Sequence, residues 1–220
     1  MKYKLAVFDF DGTLANSFPF FLGTVNTLAE RFKFRKIDES ETETFRGHGA
    51  RKIMNLVGLP LWKVPLVASS FKKMMAARIE QIPAFDGVTE MLIRLHHHGI
   101  ALSLVTSNSF ENVERILGPN NMKLMRYPQC NTSLFGKRAA LRRILQQTQM
   151  HRDSVIYIGD ELRDIEAAHA EAIAFGAVSW GYTRMDALLE HQPTEVFHNV
   201  EEVVSTLTGA DLLTASQNSL

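Results

Sequence analysis

Asp9 and Asp11 stand two residues apart in "DFDGT", directly after the apolar run "LAVF". Carboxylates held this close repel one another, so a pair at the end of an apolar run needs something to offset it. A carboxylate at a strand end can attack phosphorus when positive groups neutralise the phosphoryl oxygens. A second acid two residues on can reach the leaving oxygen and give it a proton. Environment can drive the two pKa values apart and so assign different roles. Paired carboxylates also bind magnesium, a hard cation that prefers oxygen ligands. A plain acidic turn, eased by Gly12, satisfies the same five residues, so the pair takes its meaning from the rest of the chain.

Three further stretches supply what such chemistry needs. "LVTSN" (104–108) ends an apolar run in Thr106, Ser107 and Asn108, where the Thr106 hydroxyl can donate to an anionic oxygen; such residues also favour ordinary turns. "FGKRAAL" (135–141) puts Lys137 at a helix start, where the dipole favours negative charge. That placement suits a lysine facing phosphate or the Asp9 carboxylate, and a solvated surface lysine is the plainer alternative. "YIGDELRD" (157–164) ends a run in Asp160, a further oxygen ligand for magnesium, with Glu161 or Asp164 in support behind it. Helix capping would also account for these acids.

These residues need a scaffold that gathers strand ends. Short apolar runs bounded by Gly, Asp or Asn alternate with amphipathic stretches, which predicts an α/β fold with a parallel sheet. The expected strands are 4–10, 100–106, 125–130 (weakened by Pro128), 154–160 and 172–178, with helices over 86–98, 110–117, 136–149 and 162–170. Ligands in open sheets of this class bind beyond the carboxyl ends of the strands, where Asp9, Asp11, Thr106 to Asn108 and Asp160 all fall. Between the first strand and "PAFDGV" the pattern turns helical without a strand, through "SFPFFLGTVNTLAERF" and "LWKVPLVASSFKKMMAARIEQI". A crossover does not need so long a segment, so an inserted helical unit lying over the site is expected.

In order and spacing, "DFDGTLANS", "VTSNS", "GK" at 136–137 and "GDELRD" resemble the haloacid dehalogenase superfamily, within it the phosphoglycolate-phosphatase-like group with an α-helical cap. The resemblance implies a Rossmann-like three-layer α/β/α core from 1–14 and 86–220, with a helical cap over 15–85. It implies a cytoplasmic Mg2+-dependent phosphatase acting on a small phosphorylated metabolite through an aspartyl-phosphate. Asp9 is then the nucleophile, Asp11 the general acid and base, Thr106 a phosphate-binding hydroxyl and Lys137 the charge-neutralising lysine. Asp9, Asp160 and the backbone carbonyl of Asp11 would hold the metal, and residues 12–17 would form a mobile turn coupled to cap closure. Ser107 and Asn108 join the substrate-binding set, as do Arg46 and Arg51 from the cap stretch "FRGHGARKIMNLVG", which also carries His48 and Lys52. Glu161 departs from the Ser or Thr common at that place, and Asn108 and Ser109 depart from the pattern of phosphoglycolate phosphatases.

Two other functions fit the same residues: a phosphomutase that spares the aspartyl-phosphate for a second hydroxyl, and a non-catalytic protein that binds a phosphometabolite or regulates a partner. An intact acid pair weighs against the last.

The remaining sequence mostly excludes. Among 220 residues 24 basic balance 24 acidic, so no global charge recruits nucleic acid or anionic membrane. The single cysteine, Cys130, rules out an internal disulfide and suits a reducing compartment. No apolar run approaches the roughly 20 residues of a membrane helix, and the N-terminal run is too short for a signal peptide. "HHH" at 96–98 diverges around a helix and reads as a helix end rather than a metal site. Met74, Met75, Trp62 and the cap phenylalanines read as packing. "SWGYTRMDALLEHQP" (179–193) reads as a loop leading into a short helix, and the polar "TGADLLTASQNSL" (208–220) as a fraying end. A monomer and a homodimer are both compatible with the sequence.

Overall fold

The computed structural model describes residues 1–209, so most of the stretch expected to fray lies outside the described residues. Leu5–Phe8 (β1) leads into four helices, Phe18–Phe32 (α1), Thr42–Arg46 (α2), Ala50–Leu56 (α3) and Val64–Ala77 (α4). Val88–His97 (α5), Ala101–Leu104 (β2), Phe110–Leu117 (α6), Pro119–Leu124 (α7) and Lys137–Thr148 (α8) follow. Val155–Gly159 (β3), Leu162–Ala170 (α9), Ala174–Val178 (β4), Met185–Leu189 (α10), Glu195–Phe197 (β5) and Val200–Thr208 (α11) complete the chain as described. The sheet runs β2-β1-β3-β4-β5 with every pairing parallel.

Both faces of this sheet are covered, which is why its strands read as continuous apolar runs. Side chains alternate across a strand. Leu5 and Val7 therefore pack with Ala140 and Ile144 of α8 and Ile165 and Ala168 of α9. Ala6 and Phe8 face the other way, toward Leu92 and Leu95 of α5 and Val203 and Leu207 of α11. The outcome is the expected three-layer Rossmann-like α/β fold.

Two strand expectations are corrected. Residues 125–130 form no strand: Pro128 lacks a donor and Tyr127 takes φ of 55°, which breaks extended pairing after Met125. The segment still follows β2, with single bridges from Leu102 to Met125 and Val105 to Gln129. The edge strand β5 was not expected, because three residues between "HQPT" and "HN" carry too little pattern to read.

The helical stretch between β1 and β2 leaves and rejoins the sheet layer side by side. Asn16 N–H donates to Pro83 O and Phe85 N–H to Leu14 O, each at 2.9 Å, beside a bridge between Ala15 and Ala84. Within the stretch Phe45, Met54, Val57, Leu59 and Val64 form a separate apolar cluster. Trp62, expected in packing, is 70% exposed. Among the described residues no single helix is long and apolar enough to cross a membrane.

Candidate active site

The carboxyl ends of β1, β2 and β3 converge, as the strand-end positions of the polar residues require. After β1 the chain turns within a few residues, with the N–H groups of Thr13, Leu14 and Ala15 all directed at Phe10 O. Gly12 permits this at φ of +81°, and a Cβ there would stand 2.3 Å from Asp160 Oδ2. Tertiary approach as well as turn geometry thus demands glycine.

Asp9 is buried, and Lys137 Nζ donates to its Oδ2 at 2.7 Å. Lys137 is itself buried at the start of α8 and also pairs with Asp164 Oδ1. Asp164 Oδ1 further accepts from Tyr157 OH at 2.8 Å, and its Oδ2 accepts from Glu161 N–H at 3.1 Å. The helix-start lysine therefore faces an anion, and a buried carboxylate braces it from behind. Burial and Arg163 pull the Lys137 ammonium down, but Asp164, Asp9 and Glu161 outweigh them and hold it above its ordinary value.

Asp160 is fully buried; its Oδ1 accepts from Thr13 Oγ1 at 2.6 Å and its Oδ2 from Tyr182 N–H at 2.7 Å. Burial, then Asp9, Glu161 and Asp164, push its carboxyl far above the usual range. Burial likewise pushes Asp9 up to about 8, with Asp164 adding to the rise and Lys137 opposing it. Burial is the largest cause of each rise, and for Asp9 and Asp160 neighbouring carboxylates add to it, since five acids (Asp9, Asp11, Asp160, Glu161, Asp164) share the region with two cations, Lys137 and Arg163. Oxygen ligands of Asp9, Asp160 and Asp164 lie within 4.8 Å of one another. A buried set of carboxylate oxygens with too few cations beside it suits a hard divalent cation. Asp164 was expected only in support, and its oxygens already serve Lys137, Tyr157 and Glu161. Asp9 and Asp160 are the freer ligands.

Asp11 stands apart from that trio. Asn108 Nδ2 donates to both its carboxylate oxygens, at 3.2 and 3.3 Å, and burial raises its pKa. Thr106 Oγ1 accepts from Asn108 N–H at 2.9 Å, which keeps the hydroxyl hydrogen for another acceptor. Asn112 Nδ2 holds Asn108 Oδ1 at 3.0 Å and so fixes the amide's orientation toward Asp11. Ser107, Asn108 and Asp11 line a cavity of about 280 Å³ that runs into the helical stretch.

The stretch's basic residues are placed differently from one another. Arg46 lines the cavity, but its Nε and Nη2 donate to Tyr182 O and Gly181 O at 3.1 Å, and its Nη1 pairs with Glu43 at 2.9 Å. Its donors tie α2 to the loop after β4. Arg51 lies over the Phe135 ring, 4.8 Å from the centroid, and is not part of the cavity wall. His48 lines the cavity. Glu161 is paired with Arg163, so its charge is met beside the site.

Residues to which the sequence assigns no role also stand in this arrangement. Tyr182 touches Asp160 through its N–H and Ser17 through its hydroxyl, at 3.1 Å. Gly181 looked like any turn glycine, yet a Cβ there would fall 2.2 Å from Asp160 Cβ. Tyr157, Thr13 and Asn112 join through contacts across elements, which no local spacing signals. Met75 is packing as expected, and its sulfur also meets the Asn108 amide at 3.4 Å.

Comparison with known proteins finds relatives along most of the chain. The chain is 28% identical over 203 residues to a phosphoglycolate phosphatase of Synechococcus elongatus, covering 92% of this chain and 96% of the relative. A phosphoglycolate phosphatase of Xanthomonas campestris is also 28% identical, over 88% of this chain and 95% of its own. Among solved structures, a predicted phosphatase from Clostridium acetobutylicum superposes with a TM-score of 0.79 at 20% identity, covering 96% of this chain and all of that one. A haloacid dehalogenase-like hydrolase from Streptococcus pneumoniae superposes at 0.74 and 19% identity, over 93% and 98% of the two chains. These likenesses carry the fold. The model of the haloacid dehalogenase-like hydrolases matches residues 6–178, which contain the acid pair, Thr106, Lys137 and Asp160, and the chain belongs to that family of enzymes.

Proposed function

We propose that this enzyme is a Mg2+-dependent phosphatase that hydrolyses a small phosphomonoester through an aspartyl-phosphate on Asp9. The observation that carries the reading is the buried Lys137–Asp9 contact of 2.7 Å beside a second acid, Asp11, that opens on a cavity. One carboxylate is thus held by a cation inside a cluster with an excess of acids, and the other is held by a neutral amide.

Asp9 and Asp160 would hold the magnesium ion, which when bound neutralises charge on the phosphoryl oxygens. An Asp9 oxygen attacks phosphorus as the bond to the ester oxygen breaks, and Asp11 gives that oxygen its proton. Asp11 then takes a proton from water, whose oxygen attacks the aspartyl-phosphate, and phosphate and free Asp9 result. Lys137 and the Thr106 hydroxyl contribute positive charge and a hydrogen bond to the transferring group. Residues 15–85 act as a cap on the paired connections at 14–16 and 83–85, excluding bulk water and contacting the leaving group.

The test is phosphate release from a panel of phosphomonoesters, phosphoglycolate first because the relatives are named for it, with magnesium or with chelator. Release that needs both magnesium and Asp9 supports the reading. A folded protein that releases phosphate from no ester overturns it.

A further inference from the structure

Resting on the phosphatase reading, we infer that the leaving group this site accepts is an apolar, ring-bearing alcohol rather than a small anionic one. The cavity that begins at Asp11 is walled by Phe18, Phe21, Val25, Ile53, Met54 and Phe71. Its three phenylalanines thus line the same cavity as the acid that must protonate the leaving oxygen. Tyr182, hydrogen-bonded to Ser17, packs against Phe18 and Phe21 at centroid distances of 4.9 and 5.6 Å, and Phe21 meets Phe71 edge-on at 5.9 Å.

An anionic leaving group would need a cation in that wall, because an unpaired carboxylate against apolar side chains is strongly disfavoured. The two arginines there are engaged by acids and carbonyls, Lys72 by an amide, and His48, which also lines the wall, meets Gly47 O through Nδ1 at 3.0 Å. Arg46 serves Gly181, Tyr182 and Glu43; Arg163 serves Glu161 and Leu134 O; and Lys72 donates to Asn131 Oδ1 at 3.0 Å. Arg51 faces Phe135 outside the wall. Lys72 alone is without an acidic partner among these three, and it is bound to a neutral amide. Size points the same way: a cavity of about 150 Å³ already takes benzene, and this one, at about 280 Å³, holds a ring together with the short chain that joins it to the ester oxygen. Aromatic walls also favour edge and offset contacts with a guest ring.

The experiment compares kcat/KM for 2-phenylethyl phosphate, ethyl phosphate and phosphoglycolate on the full chain with magnesium, esters whose leaving alcohols are alike in basicity. The expected result is at least a tenfold advantage for the ring-bearing ester over both others. In Ile53→Asn that advantage falls at least threefold through KM, and Val25→Thr, nearly isosteric, serves the same purpose should the first variant not fold. Binding of the same esters to Asp9→Asn, read by calorimetry, should follow the same order without turnover. Equal or faster hydrolysis of phosphoglycolate or ethyl phosphate overturns the inference and leaves the phosphatase standing. Ordered binding without hydrolysis by the wild type overturns the phosphatase instead, and neither binding nor hydrolysis overturns both.

Discussion

Lys137 Nζ lies 2.7 Å from Asp9 Oδ2 although 128 residues separate them, and both side chains are buried. A buried ion pair is retained at a cost in desolvation, and removing one partner leaves the other charge unmet. Lys137→Met should therefore lower stability by about 3–5 kcal/mol, because it strands Asp9 and Asp164 together. Denaturant unfolding measures this, and a loss under about 1 kcal/mol would mean that the lysine is dispensable for the folded state.

Asp9→Asn should behave in the opposite way. It removes one acid from a cluster with too few cations, so the melting temperature should hold or rise while phosphate release falls at least about 10³-fold. Parallel thermal and kinetic measurements on the same preparation would refute this by finding either residual wild-type turnover or a collapsed melting temperature.

Chelation should act on stability as well as on rate. On the proposed function magnesium would bind only the folded arrangement of Asp9 and Asp160, so a hundredfold excess over its Kd should add about 2.7 kcal/mol. Scanning calorimetry with and without chelator reads the shift, which should shrink in Asp160→Asn. A shift of equal size in that variant would place the ion elsewhere.

Gly181→Ala is expected to damage the site without touching any charge. Its methyl would fall 2.2 Å from Asp160 Cβ, forcing the loop after β4 away from β3 and breaking the Tyr182 N–H bond to Asp160. A stability loss of about 1–3 kcal/mol with weakened magnesium binding should follow, while Gly23→Ala, where a Cβ meets nothing within 4 Å, serves as control. Equal behaviour of the two variants in calorimetry would count against the close approach.

Acid sensitivity should show a contribution from Glu171, remote from the site. Its buried carboxylate accepts from Arg138 at 2.8 Å and Arg142 at 2.7 Å, with Arg152 at 3.6 Å. Burial would raise its pKa, but the hydrogen bonds to Arg142 and Arg138 win and hold it below the ordinary value of 4.5. A folded pKa below the unfolded one contributes stability above the unfolded value, lost as pH falls through the folded one. Glu171→Gln should thus cost about 1–3 kcal/mol at neutral pH and progressively less as the pH drops below 4.5. A pH-independent difference in unfolding free energy would show that the charge is irrelevant.

The α/β class and most of the strand ends were legible along the chain, because apolar runs, Gly12 and the acids after them are local signals. Asp9, Asp11, Thr106 and Asp160 stand where apolar runs end and Lys137 where a helix starts, each with a plainer structural alternative, and α6 and α9 begin and end where their patterns do. Local pattern failed at 125–130, where one proline and a left-handed tyrosine outweigh strand-forming neighbours, and at β5, whose three residues pair only because β4 lies beside them. Tertiary structure alone decided which residues share the site. Asp164 turned inward to brace Lys137, Arg46 became a strut to the Gly181–Tyr182 carbonyls, and Arg51 settled on Phe135. It also decided that the phenylalanines of α1 and α4 would wall a cavity at Asp11, since helical spacing states which side chains share a face and leaves open what that face will meet.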